Sequence, residues 1–416
     1  MHRLFVSMPV SRRRAGSALT AAFLARRLAG ANDRIRVGVI GVGNRGKLLI
    51  DQLPEQAEIV AVADCFVTRC REAAAKRHAN WEIYQDYRRL LDRKDIDGVI
   101  IATTDHGRVL PSIHACQAGK DVYAEKPLTV CIAEGRALVR AVRKYGRIFQ
   151  VGSQQRSMAM NQLASSFVRG GGLGRIGFVL AVNYPGPADY AGLPEQPAPE
   201  GLDWDVWQGP APSRPYNKLL HLSWMRWRDY SGGEMTNWGA HGFDQIQAAL
   251  GTDATGPVEL WPLPGGPTGA LAYRYANGVT VQLVMPAAGD LKGGAIFAGE
   301  KGRIEIVRNN FRTDPPQMIK QLPPPEEVQK WRDDVALWQA KYHMQDWLEC
   351  MRSRRTPLAD VEVGHRAISI AHLANITRLL GRRLRWDPEA ETFPGDDEAN
   401  RLLRRERRKG YELPAV

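Results

Sequence analysis

From Arg34 to about Ser153 the chain alternates two patterns: short unbroken apolar runs and longer stretches in which apolar residues recur with helical spacing. The first run, Ile35-Arg36-Val37-Gly38-Val39-Ile40, is β-branched and reads as a strand buried on both faces. Gly41-Val42-Gly43-Asn44-Arg45-Gly46 follows, then a helical segment through Leu48, Leu49 and Ile50, then a second strand, Ile59-Val60-Ala61-Val62-Ala63, ending at Asp64. Further strands are predicted at 98–102, 121–124 and 148–151, with helices at 71–78, 109–118 and 133–145 between them. Strands alternating with helices in this way predict a parallel, doubly wound sheet.

After Ser153 the pattern changes. A strand is predicted at 178–182, and 185–227 is a long segment rich in Pro, Trp and Tyr. A loop of that length is usually functional. Runs at 270–275 and 279–284 flank Asn277-Gly278, a strong hairpin signal, and 295–298 and 303–307 continue in the antiparallel manner. Two helices, 338–352 and 364–380, come next. The expected organisation is therefore α/β followed by α+β. Residues 32–154 form a Rossmann dinucleotide-binding domain. Residues 155–388 form an open, mainly antiparallel sheet domain with helices on one face. Residues 389–416 form a basic C-terminal arm lying on the surface or on a neighbouring subunit.

Charge refines this picture. The net charge of +12 would suggest nucleic acid if it were spread over one face. Six of the positive charges, Arg3, Arg12, Arg13, Arg14, Arg26 and Arg27, precede residue 32 without an acid among them. Arg401 to Lys409 carries six more against one Glu406, so the body between is close to neutral and a nucleic-acid face is not expected. Ser11-Arg12-Arg13-Arg14, the modest apolar stretch 15–25 and the small residues 28–31 read as a twin-arginine export signal spanning 1–31. Export to the periplasm or beyond follows from that reading, a basic leader on a cytoplasmic protein being the alternative. No apolar run approaches the roughly 20 residues of a membrane span. The five cysteines lack zinc-like spacing and read as buried thiols.

Strand, glycine turn, helix, strand and acid in that order form a dinucleotide-binding fingerprint with its context intact. Gly41 makes the tight turn, Gly43 lets the backbone approach the pyrophosphate, and Gly46 lets helix pack on strand. Asn44 and Arg45 open the helix, whose free N–H groups and positive dipole end suit phosphate. Asp64 would accept hydrogen bonds from ribose hydroxyls and repel a 2′-phosphate, so NAD is favoured over NADP. Thr103 ends the strand 98–102 at the carboxyl edge, where ligands of such sheets bind. Glu125-Lys126-Pro127 ends another strand, and a lysine there can hold the oxygen of an alcohol that loses a hydride. In a helix, Asn237, His241 and Asp244 would share one face, with His241 as a general base. Two ligands and an amide make a poor metal site, and no metal is expected.

Taken together, Gly41-Val-Gly-Asn-Arg-Gly46, Glu125-Lys-Pro127 and the Asn237-xxx-His241-xx-Asp244 helix resemble the glucose–fructose oxidoreductase/inositol dehydrogenase (Gfo/Idh/MocA) family. The resemblance covers nearly everything from Arg34 to about Pro388 and includes branches that bear export signals. It implies that Lys126 hydrogen-bonds the reacting hydroxyl, that His241 acts as acid/base, and that Glu125 and Lys126 adjoin the cofactor. The family usually has aspartate where this chain has Asn237, and a neutral amide cannot tune His241 as a carboxylate would. Asn237 and Asp244 are expected at the substrate, with Arg156 a substrate contact by its position after Gln154-Gln155. The implied activity is NAD-dependent oxidation of a ring hydroxyl of a sugar, glycoside or cyclitol, in a homo-oligomer formed through the C-terminal sheet. Two alternatives stand beside it: a redox-neutral NAD-dependent glycoside hydrolase, and a non-catalytic NAD-binding regulator.

Overall fold

The structure, a computed structural model, describes residues 34–266, 268–331 and 338–416. The leader expected at 1–31 lies outside the described residues.

The apolar runs of the first part form six parallel strands: β1 Ile35–Ile40, β2 Ala57–Ala63, β3 Glu82–Tyr84, β4 Gly98–Ile101, β5 Asp121–Ala124 and β6 Phe149–Val151. Their order is β3-β2-β1-β4-β5-β6, so the winding reverses at β1 and opens a crevice beyond the carboxyl ends of β1 and β4. Val37, Val39, Val99 and Ile100 are fully buried, as strands covered on both faces must be. Two elements of this part went unread in the sequence. β3 is three residues with no fully buried position, and the helix Tyr87–Leu91 is a single turn started by Asp86, whose side chain accepts from Arg88 N. The helix expected at 71–78 is Val67–Lys76.

Among the described residues the second part forms eight strands: β7 Ile176–Val182, β8 Pro257–Pro262, β9 Leu271–Tyr275, β10 Thr280–Met285, β11 Ala295–Gly299, β12 Gly302–Val307, β13 Asn310–Asp314 and β14 Leu384–Arg385. In the order β13-β12-β11-β7-β10-β9-β8-β14, the β7–β10 pair is parallel and every other pair antiparallel. The Asn277-Gly278 turn joins β9 to β10, with Gly278 at φ 89°. Helices Ala159–Arg169, Gly239–Leu250 and Val361–Leu380 cover one face through buried Ala164, Phe243, Ile246 and Leu373.

The two parts interlock. The helix Lys341–Ser353, which starts three residues later than expected, drives Met344 and Trp347 into the core beside Ile100 and Tyr123 of the parallel sheet. The aromatic segment 185–227 reaches back to the end of β2, where Val67 N donates to Gly201 O (3.0 Å) and Asp203 N to Cys65 O (2.8 Å). The C-terminal arm is not free in this chain. Leu403 and Ala399 are buried, Arg407 pairs with Glu134, and Arg408 pairs with Asp205 at 2.5 Å. Carboxylates on both parts thus neutralise charges of the basic arm, which lies on the chain's own surface.

Candidate functional site

The crevice between the two parts is a cleft of about 590 Å3 that runs from Asp64 to His241. Its first half is set by backbone geometry. Gly41 has φ 91°, and a Cβ there would come within 2.7 Å of the Ala102 carbonyl oxygen. A Cβ on Gly46 would overlap the Gly41 carbonyl. Gly43 differs, because a Cβ there would meet nothing within 4 Å and would project into open space. Nothing in the packing requires glycine at 43; what it leaves is room for a ligand against the backbone. The helix Asn44–Asp51 begins there with no side-chain cap, so its first N–H groups remain available to an anion. Asp64 is fixed by Val42 N (2.7 Å to Oδ2) and Phe66 N (2.8 Å to Oδ1) and still lines the cleft. An uncapped helix start, a glycine with free space and a fixed carboxylate two strand-ends apart fit the pyrophosphate and adenosine ribose of NAD.

Thr103 and Glu125 stand at the ends of β4 and β5. Thr103 Oγ1 donates to Gly107 O (3.1 Å), and Glu125, 3% exposed, accepts from Arg45 Nε (2.7 Å) and from Lys126 N (3.1 Å). Arg45 also donates to Trp338 O (2.6 Å), which ties the nucleotide turn to the second part of the chain. Asp105, unnoticed in the sequence apart from its place at the strand's carboxyl edge, is buried between Arg108 (3.3 Å) and Ser231 Oγ (2.8 Å).

The second half brings Lys126, Asn237 and His241 to one wall of the cleft. The helices Glu234–Asn237 and Gly239–Leu250 meet at Trp238, whose φ −80° and ψ −34° keep the turn right-handed, so the shared face survives the break. Lys126 Nζ donates to Asn237 Oδ1 (2.8 Å) and to Asn237 O (3.2 Å). Asn237 Nδ2 donates in turn to Glu234 Oε2 (3.1 Å). The sequence suggested that Asn237 acts on His241; the amide bonds to the lysine instead. Burial pushes the Lys126 ammonium down to about 8, against the pull of Glu125 and Asp105. His241 is 3% exposed, and burial together with the nearby Lys126, Arg308 and Arg45 charges holds its ring well below the usual imidazole value. At neutral pH His241 is therefore uncharged.

Arg156 and Asp244, expected at the substrate, are occupied with each other. Arg156 Nε donates to both Asp244 oxygens (2.8 and 2.9 Å), Nη2 donates to Asp253 (2.7 Å), and neither residue lines the cleft. Asp244 sits on the buried side of its helix and requires a cation, which the turn Gln154–Ser157 supplies. The pair anchors the helix that carries His241. An aromatic pair that no motif announces adjoins this wall: Trp238 and Trp338 stand edge to face at 5.7 Å, with Arg308 over both rings and Lys292 over Trp238 at 4.1 Å.

Two family models match the chain: an oxidoreductase family's NAD-binding Rossmann fold over residues 35–153, and an oxidoreductase family's C-terminal alpha/beta domain over 175–413. Among curated relatives, inositol 2-dehydrogenase of Salmonella typhimurium is 31% identical over 126 residues, 29% of this chain and 38% of that protein. The scyllo-inositol 2-dehydrogenase (NAD(+)) of Bacillus subtilis is 33% identical over 130 residues, 30% of this chain and 36% of that one. The aligned stretch thus spans well under half the length of these relatives. Among solved structures, the WlbA dehydrogenase from Bordetella pertussis, in complex with NADH and UDP-GlcNAcA, has TM-score 0.63 and 20% identity over 85% of this chain and 98% of that one. Levoglucosan dehydrogenase, in complex with NADH and levoglucosan, has TM-score 0.61 and 19% identity over 85% and 99%. At such identities the structural likeness concerns the fold.

Proposed function

The chain belongs to the Gfo/Idh/MocA oxidoreductase family, and from that premise we propose that it oxidises a ring hydroxyl of a sugar, glycoside or cyclitol with NAD. One observation carries the reading: a half-buried lysine, held by two oxygens of Asn237, lies beside a neutral histidine in the cleft that the nucleotide fingerprint opens. When bound, NAD supplies hydride-accepting chemistry. Gly43 and the helix start at Asn44 would hold its phosphates, and Asp64 its ribose, with preference over a 2′-phosphate.

An amine nitrogen has three positions besides its carbon. Asn237 takes two at Lys126, which leaves the third for the cleft. Above about pH 8 that position carries a lone pair and takes the proton of the substrate hydroxyl; below it, an N–H donates to a ketone oxygen in the reverse direction. His241, neutral throughout, holds the same oxygen or its neighbour by a ring nitrogen. The acid/base role expected of His241 thereby passes to Lys126, whose pKa lies closer to a working pH.

A second reading, redox-neutral hydrolysis of a glycoside, draws support from the clasp at the adenosine end. Gly201 O accepts from Val67 N and Gln85 Nε2, and Asp203 N donates to Cys65 O, on the residues that follow Asp64. A cofactor enclosed there would favour a cycle that regenerates it in place. The test is a panel of sugars, cyclitols and aryl glycosides with and without added NAD. NADH accumulation supports dehydrogenation, and aryl alcohol release without net NADH supports hydrolysis. Inertness toward the whole panel together with absent NAD binding would reject both and favour the regulator.

Export by the twin-arginine route stays part of the proposal through Ser11-Arg12-Arg13, and N-terminal sequencing of protein from its host tests it. Self-association through the outer face of the eight-stranded sheet, where Phe178 is 44% exposed, is likewise proposed and is read by light scattering.

A further inference from the structure

We infer that Glu234 is a positioning residue that decides which atom of Asn237 meets Lys126, an inference that rests on the reading of Lys126 as the proton-transfer group. An amide presents a carbonyl oxygen on one side and an NH2 on the other, and the two are nearly alike in shape. A carboxylate only accepts, so Glu234 Oε2 selects the Nδ2 side at 3.1 Å, and Oδ1 is thereby turned to Lys126 Nζ at 2.8 Å. Turned over, the amide would set N–H against N–H at the lysine, and one of its two anchors would be lost. The lone pair that takes the substrate proton would then point elsewhere.

The position of Glu234 is itself built in. Glu234 and Asn237 are the first and last residues of one helical turn and share a face. Gly233 before them has φ 73°, and a Cβ there would lie 2.6 Å from Gly186 C and Pro187 N; Met235 N donates to Pro185 O (2.9 Å). The carboxylate therefore has a fixed origin and one amide within reach. Around Lys126 the other charges are Glu125 and Asp105, which favour its charged form, and Arg45 and Arg108, which oppose it, with neutral His241 adjoining; Tyr184 is the titratable group near Glu234. None of these depends on the orientation of Asn237, and because Glu234→Gln also removes a negative charge, its shift is read against the same substitution in an Asn237→Ala background, where no amide is left to turn.

The experiment measures acetylation of Lys126 by acetic anhydride as a function of pH, read by mass spectrometry on the full chain with and without NAD. Wild-type protein should show a midpoint near 8. In Glu234→Gln, whose amide can satisfy the overturned Asn237, the midpoint should fall by about one pH unit, because a hydrogen bond to the charged form is lost. Glu234→Ala carries the same expectation should the glutamine variant fail to fold. The double variant Glu234→Gln/Asn237→Asp, which can present only oxygen to the lysine, should return the midpoint to 8 or higher. An unchanged midpoint in the single variants, or a fall in Glu234→Gln no larger than the same substitution produces in the Asn237→Ala background, overturns the inference. Because the readout needs no turnover, failure to find an oxidised sugar leaves it standing, and a flat result beside intact sugar oxidation removes only Glu234.

Discussion

The two halves of the cleft are made by different means. The nucleotide half lies within Gly41 to Asp64 and depends on backbone: a positive φ at Gly41, no room for a Cβ at Gly46, free space at Gly43. The substrate half joins Lys126 to Asn237, 111 positions away in sequence, and depends on which polar side chain takes which partner. Local backbone requirements leave a mark in sequence because only glycine meets them. Partner choice leaves none, because any donor near any acceptor would satisfy the same residue types.

The largest effect that would break this contrast is at Lys126. Replacement by alanine should lower turnover by about 10²–10⁴-fold, the usual loss for a positioned proton-transfer group, while nucleotide titration stays near wild type. Weakened NAD binding of comparable size would show that the halves are not separable. Next comes Arg156. As one partner of a buried pair its replacement by alanine should cost about 3–5 kcal/mol in chemical denaturation, since Asp244 would keep an uncompensated charge. A direct substrate contact would behave in the opposite way, with KM raised and stability unchanged. The glycines sharpen the comparison further. Gly46→Ala forces overlap and should destabilise by about 1–3 kcal/mol. Gly43→Ala should leave the melting temperature nearly unchanged and weaken NAD binding alone, and equal behaviour of the two variants would mean that the space at 43 serves packing.

The same contrast explains what the sequence could and could not tell. Both sheets were legible, because β1, β2, β4 and β5 are apolar runs and Asn277-Gly278 marks a hairpin. β3 and β14, three and two residues long, are too short for any period to register, and β8, with a proline at each end, and β13, with no buried position, were also unread. Lys126, Asn237 and His241 were recognisable as a group, yet their bonding was not: the amide serves the lysine and Glu234 rather than the histidine. Arg156 was misplaced for a related reason. Its position after β6 adjoins the cleft, but Asp244 and Asp253, 88 and 97 residues on, claim its guanidinium. The basic C-terminal arm was expected on the surface or on a neighbouring subunit, and its partners Glu134 and Asp205, far back in the chain, could not be read from spacing.

The role proposed for Lys126, poised near 8 and oriented by Asn237, is to move the proton while His241 stays neutral. The pH dependence of kcat/KM for the oxidation of whichever panel sugar turns over tests it most directly. Below pH 8 the lysine already carries its proton and cannot take another; above it the lone pair is free, so the rate should rise through about 8 and then level off. His241, already uncharged, should contribute no limb near its ordinary value. Lys126→Met should lose the rise and His241→Ala should keep it at a lower rate. A limb near the ordinary imidazole value that persists in Lys126→Met and disappears in His241→Ala would contradict the account.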